Sequence, residues 1–78
     1  MQPKASGSTV RELDVRDREP PEPMQLALAA IALLGPGERL RMLHHREPFP
    51  LYAILDQRGF GHRTVQLPDD SYEIMIWR

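Results

Sequence analysis

The sequence of 78 residues predicts a two-layer α+β sandwich, in which two helices lie on one face of a four-stranded mixed sheet. Alternation of apolar and polar residues indicates strands before, between and after two apolar segments with helical spacing. Each apolar segment starts at prolines and ends at glycine, as helices do. The expected order of elements is therefore β-α-β-α-β-β, in a single small domain.

The chain is expected to begin with a mobile tail, residues 1–10, because this segment has almost nothing apolar to bury. The domain would then span residues 11–78. Alternation from Arg11 to Val15 predicts the first strand, with Leu13 and Val15 on one face.

Proline and glycine mark both ends of the first predicted helix. Since proline is tolerated in the first turn of a helix but not inside one, the helix should begin near Pro21 or Pro23. It should run to about Leu34, where the Gly-Pro-Gly segment at residues 35–37 ends it.

A second strand and a second helix follow. The strand should cover residues 38–44 or 38–45, with Leu40 and Met42 on one face. The helix should start around residues 48–50 and end before Gly59, which suits a left-handed C-terminal cap. Its apolar positions at spacings of three and four are Leu51, Ile54 and Leu55.

Two strands close the chain, residues 61–67 with Val65 and Leu67 inward and residues 71–78. The inward positions expected on the second of these strands are Tyr72, Ile74 and Ile76. Residues 68–71 should form the turn of an antiparallel hairpin. A right-handed crossover should make the first two strands parallel, so the sheet is mixed.

The strand Leu13–Arg16 leading into Pro-Pro-Glu-Pro at Pro20–Pro23 resembles the opening of the TusA (SirA-like) sulfur-carrier family. That family has a short strand followed by Cys-Pro-x-Pro at the mouth of a helix. Pro20 stands where the cysteine would be, and the chain contains no cysteine. The resemblance extends from about Leu13 to the C-terminus and implies the strand order 1-2-4-3.

Three motifs are most similar to an uncharacterised bacterial branch of cysteine-less TusA-like domains. They lie at Glu19–Pro23, Pro36–Glu38 and Arg46–Tyr52. Members of this branch often lie beside hemerythrin-like or other redox domains, as the resemblance implies. We therefore expect a protein partner, which could be a redox or hemerythrin-like protein.

The missing cysteine removes one activity. Sulfur relay needs a thiolate that attacks a donor and holds a persulfide. Pro20 cannot do this, and the four methionines are thioethers without an ionisable proton. We therefore expect no sulfurtransferase activity, and we assign no catalytic residues. The expected function is a noncatalytic binding or interaction module without a cofactor.

The mouth of the first helix is a candidate anion site, since Arg16 and Arg18 lie just upstream of its free amide groups. Glu19 and Glu22 compete with an anion there. Local charge balance is the favoured interpretation, and the anion pocket at Arg16, Arg18 and Pro20 is the minor one.

The histidines give an alternative function, a redox accessory domain that binds a metal or haem through His44, His45 or His62. Adjacent strand residues point to opposite faces, so His44 and His45 would reach one ion only if the strand has already ended. His62 should lie two strand spacings away, about 10 Å. The ordinary interpretation is three exposed or loop-capping histidines.

Two surfaces could bind a partner. The sheet face away from the helices should carry Arg39, Arg41 and Trp77, residue types that dominate interface energetics. The first helix has few polar residues, so Leu26 and Leu33 could form an apolar patch for a partner or a weak homodimer. The alternative for the sheet face is an ordinary solvated surface of mixed charge, with Trp77 stacked on an arginine. The alternative for the helix is that these leucines are ordinary scattered surface residues.

Composition limits the partners and the location. The formal net charge of -1 gives no basic excess for nucleic acid. The apolar run Leu26–Leu34 is too short for a bilayer, which needs about 20 residues. No segment resembles a secretory signal, so we expect a cytoplasmic protein without a membrane partner.

Overall fold

A computed structural model describes residues 9–78 and contains four strands and two helices in that range. The elements are β1 (Thr9–Asp14), α1 (Glu22–Ala32), β2 (Glu38–His44), α2 (Phe49–Gln57), β3 (Gly61–Gln66) and β4 (Tyr72–Trp77). The sheet order is β1-β2-β4-β3, with β1 parallel to β2 and the other pairs antiparallel. The predicted fold class and strand order are confirmed.

The register places the apolar face of the sheet under both helices. Leu40 pairs with Ile76 and Met42 pairs with Ile74, and all four side chains are almost completely buried. Residues of α1 and α2 complete this core, namely Ala27, Ile31, Leu51 and Leu55. Because adjacent strand residues alternate, the intervening side chains of β2 and β4 lie on the open face of the sheet.

Glycine ends α2 as predicted. Gly59 has a φ of +78°, in the left-handed region that glycine adopts at low cost. The N–H of Gly59 donates to the Asp56 carbonyl at 3.2 Å, and the N–H of Phe60 donates to the Leu55 carbonyl at 2.9 Å. This pair of hydrogen bonds is a Schellman motif, and it turns the buried Phe60 back towards the core.

The start of β1 and the face of Val65 differ from the prediction. Thr9 and Val10 belong to β1, although they were expected in the tail, because the parallel ladder with β2 extends to Thr9. The rest of that tail, residues 1–8, lies outside the described residues. Val65 was expected to be inward, but it pairs with Glu73 on the open face and is 44% exposed. The register instead turns His62 and Thr64 towards the helices, opposite Ile76 and Ile74.

The described helices are too short and insufficiently apolar for any of them to cross a membrane.

Candidate functional site

A pocket of about 300 Å³ lies where both helices begin. The parallel strands β1 and β2 end at the same edge of the sheet, so the chain starts α1 and α2 from that edge. Five prolines contribute to the wall, namely Pro20, Pro21, Pro23, Pro48 and Pro50. Met24, Met42 and Leu51 form the remaining apolar wall. The pocket therefore combines apolar walls with the amino ends of two helices.

Pro20, a residue predicted to lie at the mouth of the first helix, lines this pocket. The Pro20–Pro21 peptide bond is cis. Proline rings have a fixed φ and no side-chain rotamers to lose, so this wall is preformed. The position expected at the mouth of α1 is therefore part of a concave surface.

His44, the last residue of β2, is the buried polar group of the pocket. It is 7% exposed, and its Nδ1 accepts a hydrogen bond from the backbone N–H of Arg46 at 3.1 Å. An accepting Nδ1 carries no proton, which assigns the proton of the neutral ring to Nε2. Within residues 9–78 the Nε2 atom has no protein partner, and it is not among the fully buried atoms, so His44 presents an accessible donor at the pocket.

Burial keeps His44 neutral. Its desolvation lowers the pKa below the ordinary value of 6.5, and the nearby His45 and Arg46 lower it further. Protonation would also place a proton on Nδ1, facing the N–H of Arg46. Both effects favour the neutral donor at physiological pH.

The first turn of α1 offers a second donor. The N–H of Glu22 donates to the Glu19 carbonyl at 3.0 Å, and that of Gln25 donates to the Pro21 carbonyl at 3.1 Å. Pro23 has no N–H. No side chain caps this helix, so the backbone N–H of Met24 has no acceptor within residues 9–78.

Two charged side chains, Glu47 and Arg46, line the pocket. The carboxylate of Glu47 accepts a hydrogen bond from the hydroxyl of Tyr52 at 3.0 Å. Burial raises the pKa of Tyr52, so this phenol remains a donor. Arg46 forms no ion pair within the described part of the chain, residues 9–78. The pocket therefore has a cation without a carboxylate partner.

The three histidines occupy two different places. The rings of His44 and His45 lie 5.2 Å apart, whereas His62 stacks on Tyr52 with 4.8 Å between ring centroids. The Nε2 atom of His62 also lies 3.0 Å from Asp56 Oδ1. Among residues 9–78, no three His, Cys, Asp or Glu side chains are grouped to hold a metal ion.

The hydrogen bond to His44 also weighs against metal ligation at this residue. A histidine that binds a metal through Nε2 normally donates its Nδ1 proton to an acceptor. Here Nδ1 faces a donor, the N–H of Arg46. This hydrogen bond disfavours ligation of a metal through Nε2 of His44.

His45 contains a buried nitrogen, Nδ1, that has no hydrogen-bond partner in residues 9–78. We expect His45→Leu to leave the free energy of unfolding unchanged or to raise it by up to about 1 kcal/mol, because replacing an unsatisfied polar group with an apolar one removes a desolvation penalty. Urea unfolding measures the change. A loss above about 1 kcal/mol would show that His45 makes a stabilising interaction.

Arg16 and Arg18 lie outside this pocket, in a separate open concavity. The guanidinium of Arg16 donates two hydrogen bonds to Asp14, at 3.0 and 2.7 Å, and thereby lowers the pKa of that carboxyl. Arg18 donates to Glu22 at 3.0 Å. Both guanidinium groups already have carboxylate partners, so the geometry favours local charge balance over an anion site at these arginines.

The open sheet face is also paired internally. Arg41 donates to the carboxylates of both Glu12 and Glu73. The guanidinium carbon of Arg39 lies 4.9 Å from the centroid of the Trp77 ring, a cation–π arrangement. The candidate residues of this face are therefore together, but their charges already have partners within the chain.

The expected apolar patch on α1 is smaller than predicted. Leu33 is 72% exposed, whereas Leu26 is half-buried and packs against the core. The sequence placed Leu26 on the outer side because the helical wheel alone does not include the neighbours that cover a helix edge. One exposed leucine is an ordinary surface feature.

Most residues that line the pocket could not be identified as site residues from the sequence. Met42 and Leu51 have the spacing of core residues, and Arg46 and Glu47 lie in a loop. The signal that could have found them is topological, because the carboxyl ends of parallel strands lie at one edge, where the following helices begin.

Comparison with known proteins adds a family. No curated protein and no solved structure matches this chain significantly. The model of the family described as "Uncharacterized conserved protein (DUF2249)" matches residues 12–78, which include every element of the sheet and both helices apart from the start of β1. The chain therefore belongs to the DUF2249 family.

Proposed function

We propose that this protein is a noncatalytic binding domain whose site is the pocket at the mouth of α1. The observation that carries the proposal is a concave, mostly apolar surface containing a buried histidine with an unused donor. Binding pockets commonly combine apolar walls with a few polar groups that fix the orientation of the ligand. The absence of a thiol makes persulfide relay chemically impossible for this chain.

The proposal includes a TusA-like scaffold. Its support is the strand order β1-β2-β4-β3, together with Pro20 in the wall of the pocket where the sulfur-carrier family has its cysteine. On such a scaffold the concave mouth of α1 is retained while the reactive atom is lost. Binding without relay is the function that this arrangement supports. A cytoplasmic location, expected from the sequence, is part of the same proposal.

A protein partner, such as a redox or hemerythrin-like protein, would use a different surface. The open sheet face offers Trp77 and Arg39, but Arg41 is already paired with Glu12 and Glu73. A partner that bound Arg41 would have to break these ion pairs, so the contact would add little binding energy. For this reason we rank the pocket above the sheet face as the binding site.

The methionines provide a direct test of this ranking. Met24 and Met42 line the pocket, whereas Met75 lies on the opposite face of the sheet. With isotope-labelled methionine methyl groups, we expect hydrocinnamamide or hydrocinnamate to shift the NMR signals of Met24 and Met42 saturably. The signal of Met75 should stay unchanged. These probes have a compact apolar body that suits the small pocket.

Two tryptophan substitutions, one in α1 and one at its C-cap residue, provide a matched control. Met24→Trp should fill the pocket and abolish the ligand-induced shift of Met42, whereas Leu33→Trp, at the exposed end of the same helix, should preserve it. Circular dichroism verifies that both variants are folded. Failure of both probes to shift Met24 and Met42, or equal shifts at Met75, would overturn the proposed function.

A further inference from the structure

We propose that the ligand of this pocket is a small apolar carboxylate, whose anionic head group is bound by the N–H of Met24, the Nε2–H of His44 and the guanidinium of Arg46. This inference rests on the proposed function and names its ligand class. It combines three properties of the pocket, namely its donors, its charge and its apolar walls.

The donors exceed the acceptors. His44 Nε2–H and the Met24 N–H both belong to pocket residues and have no acceptor within residues 9–78. The carboxylate of Glu47, the acidic side chain of the wall, already accepts the Tyr52 hydroxyl. A ligand complementary to this set must present acceptors, and an ionised carboxylate is an acceptor-only group with two oxygens.

The positive groups at the pocket favour an anionic ligand. The amino end of α1 carries the positive end of the helix dipole, and no side chain caps it. α2 also begins at the pocket without a side-chain cap. Arg46 has no ion pair in residues 9–78, whereas the nearby Glu22 is paired with Arg18. Within residues 9–78 Glu47 has no ion pair either, but its carboxylate accepts the Tyr52 hydroxyl, whereas the positive groups, namely Arg46 and the amino end of α1, are the ones left for a ligand.

The walls require an apolar body attached to that head group. Five prolines, Met24, Met42 and Leu51 line the pocket, and its volume is about 300 Å³. This volume is at the lower end of the range for ligand pockets, roughly 300–1,000 Å³. A phosphate or another multiply charged anion would leave these walls without contacts and would need more donors than the pocket offers. A small monoanionic carboxylate with an apolar body fits both regions.

Hydrocinnamate and its amide differ only in the head group, so the pair isolates the charge. At about pH 8 the carboxylate is ionised and imidazole is neutral. We expect hydrocinnamate to bind about tenfold more tightly than hydrocinnamamide, because charge-assisted hydrogen bonds are about twice as strong as neutral ones. The dissociation constants follow from titration of the Met24 and Met42 methyl signals.

Arg46→Gln should reduce the affinity for the carboxylate about tenfold and leave that for the amide nearly unchanged. Arg63→Gln is the matched control, since it removes the same charge from the open face of β3. His44→Phe should weaken binding of the carboxylate by removing the Nε2–H donor.

Equal affinities for hydrocinnamate and its amide would overturn the carboxylate inference and leave the pocket itself as a binding site. Equal effects of the Arg46 and Arg63 substitutions would also overturn it, because they would show only long-range charge. If neither hydrocinnamate nor hydrocinnamamide binds, the proposed function is overturned instead. The two failures are therefore distinguishable.

Discussion

Replacing Gly61 with alanine is expected to lower the free energy of unfolding by about 1–3 kcal/mol, the usual cost of overpacking. A Cβ atom at this position would overlap Cε2 and Nε1 of Trp77. The guanidinium of Arg39 also packs over the indole, 4.9 Å from its centroid. Since Gly61 and Arg39 are both register partners of Trp77, the ring cannot stay in place.

Alanine substitutions at two other glycines, Gly35 and Gly59, serve as controls without steric overlap. A Cβ atom at Gly35 would meet Glu38 Oε1 at 3.6 Å, so Gly35→Ala should change stability by less than about 0.5 kcal/mol. A Cβ atom at Gly59 would contact nothing within 4 Å, but the φ of +78° should cost about 1 kcal/mol for alanine. Gly61→Ala should exceed both.

A double-mutant cycle attributes the cost to Trp77. In a Trp77→Ala background the added methyl group meets no indole, so Gly61→Ala should become neutral or slightly stabilising. Urea unfolding followed by circular dichroism measures all four proteins. Trp77 is the only tryptophan, so its fluorescence also reports the displaced ring in the single variant. An unchanged cost of Gly61→Ala in the Trp77→Ala background would contradict the steric explanation.

The face of Trp77 was predicted correctly from the sequence, whereas its contact with Gly61 was not predicted. Alternation with Ile74 and Ile76 puts Trp77 on the open face. Nothing in the local pattern indicates that Gly61 on the edge strand leaves room for the indole, because strand pairing is decided by tertiary structure. The same limit produced the wrong face for Val65, since β3 has exposed or half-buried residues on both faces and an alternating pattern cannot fix its register.

The fold was more predictable than the pocket for a physical reason. Prolines and glycines act locally, so they mark the ends of α1 and α2 within a few residues. The pocket, by contrast, is the space left between two helix starts and the end of β2. Its residues Met42 and Leu51 have core spacing, and only the three-dimensional packing shows that they also face a concavity. His44 was considered a metal ligand, but its buried position and accepted hydrogen bond emerge only in the structure.

The free energy of unfolding is expected to fall as the pH is lowered from about 6.5, with a slope of at most about 1.4 kcal/mol per pH unit for one proton. Burial lowers the pKa of His44 below its ordinary value of 6.5, so the unfolded chain takes up a proton before the folded chain does. The stability that neutral His44 contributes is therefore complete above about pH 6.5 and is lost as the pH falls through the folded pKa.

A second effect operates at lower pH. Hydrogen bonds lower the pKa values of the carboxyls of Asp14, Glu38 and Asp69 from ordinary values of 3.8, 4.5 and 3.8. Their contributions are present above those ordinary values and disappear only as the pH falls through the lower folded values. The two declines start at different pH values, so the one that starts near pH 6.5 can be assigned to a histidine.

His44→Asn identifies which histidine is responsible. The Oδ1 atom of asparagine can accept the N–H two residues ahead, as in an Asx turn, so the bond from Arg46 is retained while the titrating ring is removed. Urea unfolding at a series of pH values should then give a flatter profile below about pH 6.5. His44→Leu should lower stability at all pH values by about 1 kcal/mol, because the donor of Arg46 loses its acceptor. An NMR titration of the His44 ring should give a midpoint below 6.5. If His44→Asn keeps the slope of the parent protein, then the buried imidazole is not the group that takes up the proton.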